Sequence, residues 1–353
     1  MKKITALGLV LALCICSVLC GCKDKSDGVG LDSKSDYKTV DEPVKDEPKF
    51  AVNPLTGEEN LDPEKANDRP VAVMVNNITV AQSVQTGLND ADIVYETYAE
   101  GGITRLMAVF KDIGAAGKIG TVRSARISYV ELAQGHNAIY THAGWDPAFA
   151  APYIKNNKIN HIDLNSGKTA AYGYRTKNGL SSEHTLYTDG EKLKKAVSEL
   201  GYESKLSSNE NWQNFSASKV TPSGGAANTV NVPMSTSNPT KFIYNAETGK
   251  YTRNIKSGAQ KDYVTKEPIE FTNVLVLFTS VKLLDEKHVK EDLSSGTGYY
   301  ASAGGYVPVN WSKGSATSPL KITNTDGSPI EYNVGNSWVF FADNNIRNSV
   351  TFS

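Results

Sequence analysis

Cysteine is nearly absent from this chain. Its 353 residues include only four, and none follows Cys22. The body of the protein therefore has no disulfide, no cysteine-ligated zinc and no cysteine nucleophile. Its stability must come from burying a core. The roughly 300 residues beyond the amino-terminal region are ample for that and suggest about two domains by length. Net charge is also scarce, since 37 Lys and Arg stand against 38 Asp and Glu. That balance lacks the basic excess by which a nucleic-acid-binding protein announces itself, so nucleic acid is not expected as a partner. Long apolar runs are missing too: the stretch from Ile4 to Val18 is too short to span a bilayer with margin. No repeat of solenoid period is present.

That apolar stretch has the layout of an export signal. Lys2 and Lys3 precede it, and it ends Leu19-Cys20-Gly21-Cys22. The ending resembles the lipobox of bacterial lipoproteins, with a leucine, a small residue and then the cysteine that is lipidated to become the mature terminus. Residues 1–21 are accordingly expected to be a lipoprotein signal peptide, with Cys22 the lipidation site. One acyl chain binds a membrane only marginally, so a stable anchor implies several, on the extracytoplasmic face of the cell membrane. Lys23 to Phe50 is dominated by Lys, Asp, Glu, Ser and Gly. It cannot offset its chain entropy by burial, and residues 22–52 read as a disordered stalk.

From residue 53 the pattern predicts an α+β fold. Asn53-Pro54-Leu55-Thr56-Gly57 reads as a turn at the entrance. Val71 to Val75 fits a buried strand, and Ala138 to His142 and Ile159 to Leu164 fit others. Ser128 and Glu131 have capping-box spacing for a helix. Asp146-Pro147 predicts a helix over 147–156, and Asp189 caps one with Leu193, Ala196, Val197 and Leu200 on a single face. Ser216 to Thr240 is rich in Ser, Gly, Pro, Asn and Thr, so a mixed α/β domain over 53–220 is expected to give way to a smaller, mostly antiparallel β domain over 221–353. In the latter, Asn273 to Ser280 reads as a central strand and Trp338 to Phe341 as the strand that closes the sheet.

The densest charge in an apolar setting lies between Tyr95 and Arg126. Two strand-like runs flank Gly101-Gly102, which predicts a hairpin. A two-residue loop would set Tyr98 opposite Arg105 and Glu96 opposite Met107, placing Glu96, Tyr98, Glu100 and Arg105 on one face. Such a face is either a buried ion pair that fixes register or the floor of a polar site. Arg123-Ser124-Ala125-Arg126 follows a strand and precedes a helix, where backbone amides and guanidinium forks suit phosphate or carboxylate. Two solvated loop arginines are the plain alternative. Gly114 to Thr121 departs from the phosphate-loop pattern because Ile119 follows Gly117-Lys118.

His142, Asp163, Arg175 and His184 complete the candidate polar site, as acids and bases or as partners in ion pairs. No histidines have H-E-x-x-H or H-x-H spacing, so neither a metal nor a cofactor is expected.

Arg69-Pro70-Val71-Ala72-Val73-Met74-Val75-Asn76-Asn77, Glu100-Gly101-Gly102-Ile103-Thr104-Arg105 and Val122-Arg123-Ser124-Ala125-Arg126 together resemble the YerB-like bacterial lipoproteins. Tyr244-Asn245-Ala246-Glu247-Thr248-Gly249-Lys250-Tyr251-Thr252-Arg253 extends the resemblance into the second half. It departs at Glu183-His184-Thr185, where relatives more often read Pro-His-Asn. The resemblance implies an envelope lipoprotein with a mixed amino-terminal domain and a β-rich carboxyl-terminal one, and it supplies no activity. The residues favour binding of an anionic cell-wall or lipid-precursor ligand by Arg105, Arg123 and Arg126, with Glu96 and Glu100 orienting them. The alternatives are an envelope hydrolase or phosphoryl or glycosyl transferase that uses Glu100 or His142 as acid or base, and a structural module whose β domain docks another envelope protein.

Overall fold

The computed structural model describes residues 50–206, 213–235 and 239–353. The expected signal peptide, Cys22 and all but the end of the stalk lie outside them. The stalk ends earlier than residue 52, because Ala51–Val52 already pairs with Glu59–Leu61. The turn that follows is closed by the Asn53 carbonyl, which accepts from the amide of Gly57 at 2.8 Å.

The described residues belong to one compact unit through which an eleven-stranded sheet runs. In chain order its strands are β1 (Val71–Asn76), β2 (Ile93–Tyr98), β3 (Thr104–Phe110), β4 (Ile139–His142), β5 (His161–Asp163), β6 (Gly225–Ala226), β7 (Asn273–Thr279), β8 (Ser295–Ser302), β9 (Gly305–Ser312), β10 (Lys321–Asn324) and β11 (Ser337–Asp343). Across the sheet the order is β6-β9-β8-β7-β11-β2-β3-β1-β4-β5, with β10 paired to β9. β7 to β10 form the expected antiparallel meander. The pairings make β7, β11, β2, β1, β4 and β5 run in the same direction.

The central strands are apolar throughout because both faces are covered. Val73, Val75, Val94, Leu106 and Phe340 share one cluster with Phe242, Tyr251 and Phe271 of a second, six-stranded sheet. Met74, Tyr95, Met107, Leu277 and Phe341 on the other face share a cluster with the helices α1 (Ile127–Gly135) and α2 (Ala150–Asn156). A third helix, α3 (Gly190–Glu199), begins where the Asp189 carboxylate accepts from the amide of Lys192 at 2.9 Å. It adds Leu193, Ala196 and Val197 to the first cluster.

Several local expectations give way to tertiary ones. Ser128 does not cap α1: its hydroxyl accepts from the amide of Glu291 at 3.2 Å, and Glu131 meets Lys290 at 2.7 Å. Partners from the second half of the chain thus displace the local capping box. Asp146 does close the turn before α2, accepting from Phe149 at 2.6 Å, but the helix starts at Ala150 instead of Pro147. Trp338 to Phe341 does not close the sheet. As β11 it lies in the middle, parallel to β7 on one side and to β2 on the other. An apolar run shows that a strand is buried and leaves its place in the sheet open. The pairing of β11 with β2, from Ser337 opposite Ile93 to Phe340 opposite Glu96, carries a single sheet across the sequence boundary near residue 220.

Candidate functional site

The hairpin of β2 and β3 decides which charges meet. Its loop is longer by one residue than Gly101-Gly102 alone: Glu100 to Gly102 form a turn, closed where the amide of Ala99 donates to the carbonyl of Ile103 at 2.8 Å. Tyr98 therefore faces Thr104, and Thr97 faces Arg105. Side chains alternate along a strand, so this slip sends Arg105 to the opposite face from Glu96. The expected Glu96–Tyr98–Glu100–Arg105 face does not exist. Two separate ion-pair systems form in its place.

On the α1 side, Glu100 holds two arginines. Arg105 approaches its carboxylate at 2.8 Å, and Arg126 grips it from two nitrogens, the Nε bond measuring 2.7 Å. Each guanidinium also donates to a carbonyl, Arg105 to Ser124 at 2.8 Å and Arg126 to Ala125 at 2.7 Å. Burial would raise the Glu100 carboxyl, but the Arg126 hydrogen bond and the charges of both arginines outweigh it and hold it down to about 2. Burial beside Arg126 lowers Arg105 to about 10. Ser124 takes part through its carbonyl.

On the other face, Glu96 and Arg253 are both essentially fully buried and lie 3.8 Å apart. Asn77 and Thr104 donate to the Glu96 carboxylate at 2.9 and 2.8 Å. Arg253 donates to Asn77 at 3.1 Å and to Gln260, and its guanidinium lies 4.6 Å from the centre of the Trp338 ring. Burial pushes the Glu96 carboxyl up, against the charge of Arg253. Arg253 ends the family-like stretch that starts at Tyr244, but nothing local in the sequence pairs it with Glu96, which lies far along the chain.

The carboxyl ends of β1, β4 and β5 lie side by side, and the segment from Thr121 to Arg126 is laid over them. The amide of Arg123 donates to Met74 at 3.2 Å, its carbonyl accepts from Ala143 at 3.0 Å, and Ala125 donates to Gly144 at 2.9 Å. This brings Arg123 next to the turn that carries Glu183 and His184. Its guanidinium donates to the Glu183 carbonyl at 3.2 Å and reaches the Glu183 carboxylate only at 3.5 Å. Its Nε is buried with no hydrogen-bond partner among the described residues. His184 accepts from the side-chain amide of Asn76 at 2.9 Å and turns its other nitrogen to Glu183 at 3.2 Å. Arg175 stands apart, bracing the same turn through the carbonyl of Ser182.

His142 is fully buried. Its Nδ1 donates to the Gly144 carbonyl at 2.8 Å, which leaves Nε2 to accept from Nδ1 of His161 at 2.9 Å. The two rings stack 5.1 Å apart, each against Trp145. Burial lowers His142 to about 4, so it is neutral at ordinary pH. Asp163 lies 4.0 Å from His142 and holds the loop itself, accepting from the amides of Gly144 and Asn165 at 2.7 and 3.0 Å. No group of three or more acidic, histidine or cysteine side chains suited to a metal occurs among the described residues.

The fold and this site define an α+β protein with an arginine-rich cluster at the carboxyl ends of parallel strands. Residues 55–203 match the N-terminal domain, and residues 230–339 the C-terminal domain, of a family described as a protein of unknown function, DUF3048. Over 305 residues the chain is 30% identical to "Putative lipoprotein YerB" of Bacillus subtilis (strain 168), spanning 84% of this chain and 87% of that protein. It also resembles the crystal structure of the YerB protein from Bacillus subtilis, with a TM-score of 0.73 at 26% identity, covering 86% of this chain and 99% of that one. The chain belongs to the YerB-like family of lipoproteins.

Proposed function

We propose that this lipoprotein is anchored on the extracytoplasmic face of the cell membrane through Cys22 and that its folded body holds an anionic envelope ligand, a phosphate- or carboxylate-bearing wall or lipid precursor. The ligand would lie beyond the carboxyl ends of β1, β4 and β5, the end of a parallel sheet at which ligands commonly bind. The state of Arg123 carries this reading. Of the three arginines it alone lacks a close carboxylate, its nearest being at 3.5 Å on the exposed Glu183 side chain. An anion with two oxygens would satisfy the guanidinium better than Glu183 does. Arg105 and Arg126 are committed to Glu100 and act as the rigid, positively charged floor.

The catalytic alternative has less support, because the ring nitrogens of His142 are engaged with Gly144 and His161, and the hydroxyl of Ser124 has no hydrogen-bonded base among the described residues. A purely structural role draws on the Glu100 and Glu96 ion pairs, which are internal locks. Binding of wall and lipid-precursor fractions to the wild type and to Arg123→Ala separates these readings. Loss of one charge-assisted hydrogen bond should weaken retention about tenfold or more. Equal retention by both proteins would end the arginine reading and leave the structural one.

A further inference from the structure

At the other end of the sheet, the amino ends of β1 and β4 and the residues just after β3 open on a cavity of about 420 Å³. Five cations line it, Lys65, Arg69, Lys111, Lys194 and Lys205, against the carboxylates of Asp68 and Asp112. Two of the cations are neutralised: Lys65 meets Asp112 at 2.7 Å, and Lys205 meets Asp68. Arg69 spans the carbonyls of Asn137 and Glu203 at 2.8 and 3.0 Å and forms no ion pair among the described residues. Lys194 has no ion pair among the described residues and reaches the cavity from an exposed position on α3.

Lys111 is the informative member. Its side chain is 1% exposed, yet its ammonium has only the carbonyl of Asp68 as a hydrogen-bond acceptor and no ion pair among the described residues. An ammonium has three protons to place, and the charges of Asp68 and Asp92 only partly offset the cost of burying this one. Burial accordingly pulls Lys111 down to about 8. A bound oxyanion would supply the missing acceptors. Val71, Ile113, Ile139 and Val197 give the same space an apolar stretch of wall, with Ser198, Tyr202 and Ser204 beside it. Pockets of this size that combine an apolar wall with a few placed charges suit small organic ligands.

We infer that this cavity is a second binding site, independent of the Arg123 cluster, for a small amphiphilic anion whose oxyanion head meets Lys111 and Lys194 and whose apolar body lies along Val71, Ile113, Ile139 and Val197. The head is a carboxylate or a phosphate monoester, and the test distinguishes them.

Anilinonaphthalene sulfonate, itself an apolar anion, serves as the fluorescent probe. The wild-type protein should bind it saturably at one site. Decanoate or decyl phosphate should displace it, the stronger competitor naming the head group, while decyltrimethylammonium should not. Lys111→Met, which keeps the bulk and removes the charge, and Lys194→Glu should each weaken binding about tenfold or more. Lys321→Glu makes the same charge change on a distant exposed strand and should leave binding as it was. Should Lys111→Met fail to fold, Lys194→Glu decides alone. Absence of saturable binding by the wild type, equal displacement by the cationic amphiphile, or wild-type binding by Lys194→Glu would overturn the inference.

Discussion

Glu100 holds two guanidiniums with one carboxylate, leaving the cluster positive, and the neighbouring histidines are held neutral by burial. The two effects act at different pH. The Glu100 carboxyl is depressed from 4.5 to about 2 in the folded protein. Its contribution is therefore complete above 4.5 and is lost as the pH falls toward 2. His142 is depressed from 6.5 to about 4, with His161 and His184 lowered by burial in the same direction. Below 6.5 the unfolded chain takes protons that the folded histidines refuse, so their contribution to stability also rises with pH across that window. Denaturant midpoints measured from pH 2 to 7 should show the histidine contribution between 6.5 and 4 offset by the buried carboxyls, Asp92 raised to about 6 with Glu96 and Glu291 in the same direction, and a lower limb between 4.5 and 2 set by Glu100. Glu100→Gln should remove the lower limb and cost about 2–3 kcal/mol at neutral pH, because it leaves Arg105 buried beside another cation without its acid. An unchanged acid limb in that variant would contradict the assignment.

At the scale of elements, the turn between β2 and β3 sets which face every charge occupies. Gly101 and Gly102 both have φ of 69°, a region glycine enters without strain. No atom lies within 4 Å of where a Cβ at either position would be, so a side chain there meets only the backbone penalty. Gly102→Ala should then cost about 1 kcal/mol and change nothing else. Deletion of Gly102 is a different experiment. The two-residue loop Glu100-Gly101 that remains keeps Ala99 opposite Ile103 and Arg105 on its own face, but the tighter turn re-aims Glu100 away from Arg105 and Arg126. Thermal unfolding should show a loss several-fold larger than that of the alanine variant. Similar melting of the two would mean that the three-residue turn is not needed to place Glu100.

For the whole molecule, the informative contact is β11 beside β2. It joins strands 244 residues apart at Ser337 opposite Ile93, and the Glu96–Arg253 pair ties a second distant hairpin to the same strand. The family description divides the chain into two domains, whereas the sheet passes through both. A fragment covering residues 50–220 would expose the edge of β2, an apolar strand with unpaired backbone groups, which invites aggregation. That fragment should fail to fold alone and should recover when co-expressed with residues 221–353. A soluble, cooperatively melting monomer of residues 50–220 would refute this.

Local chemistry was legible from the sequence. The apolar runs located β1, β7 and β11, Asp189 located the start of α3, and the motifs around Gly101 and Arg123 located the family. These features depend on residues within a turn or a strand of one another. The pairing of Arg105 with Glu100 was also within local reach. What only the tertiary structure decided were the partners brought from far along the chain: Arg253 for Glu96, Glu291 for Ser128, β11 for β2 and Glu183 for Arg123. The hairpin register lay between the two, since one extra loop residue reverses every face and two glycines permit either length. Long-range pairing follows from which apolar surfaces close over one another, and a linear pattern of residues does not encode that by position.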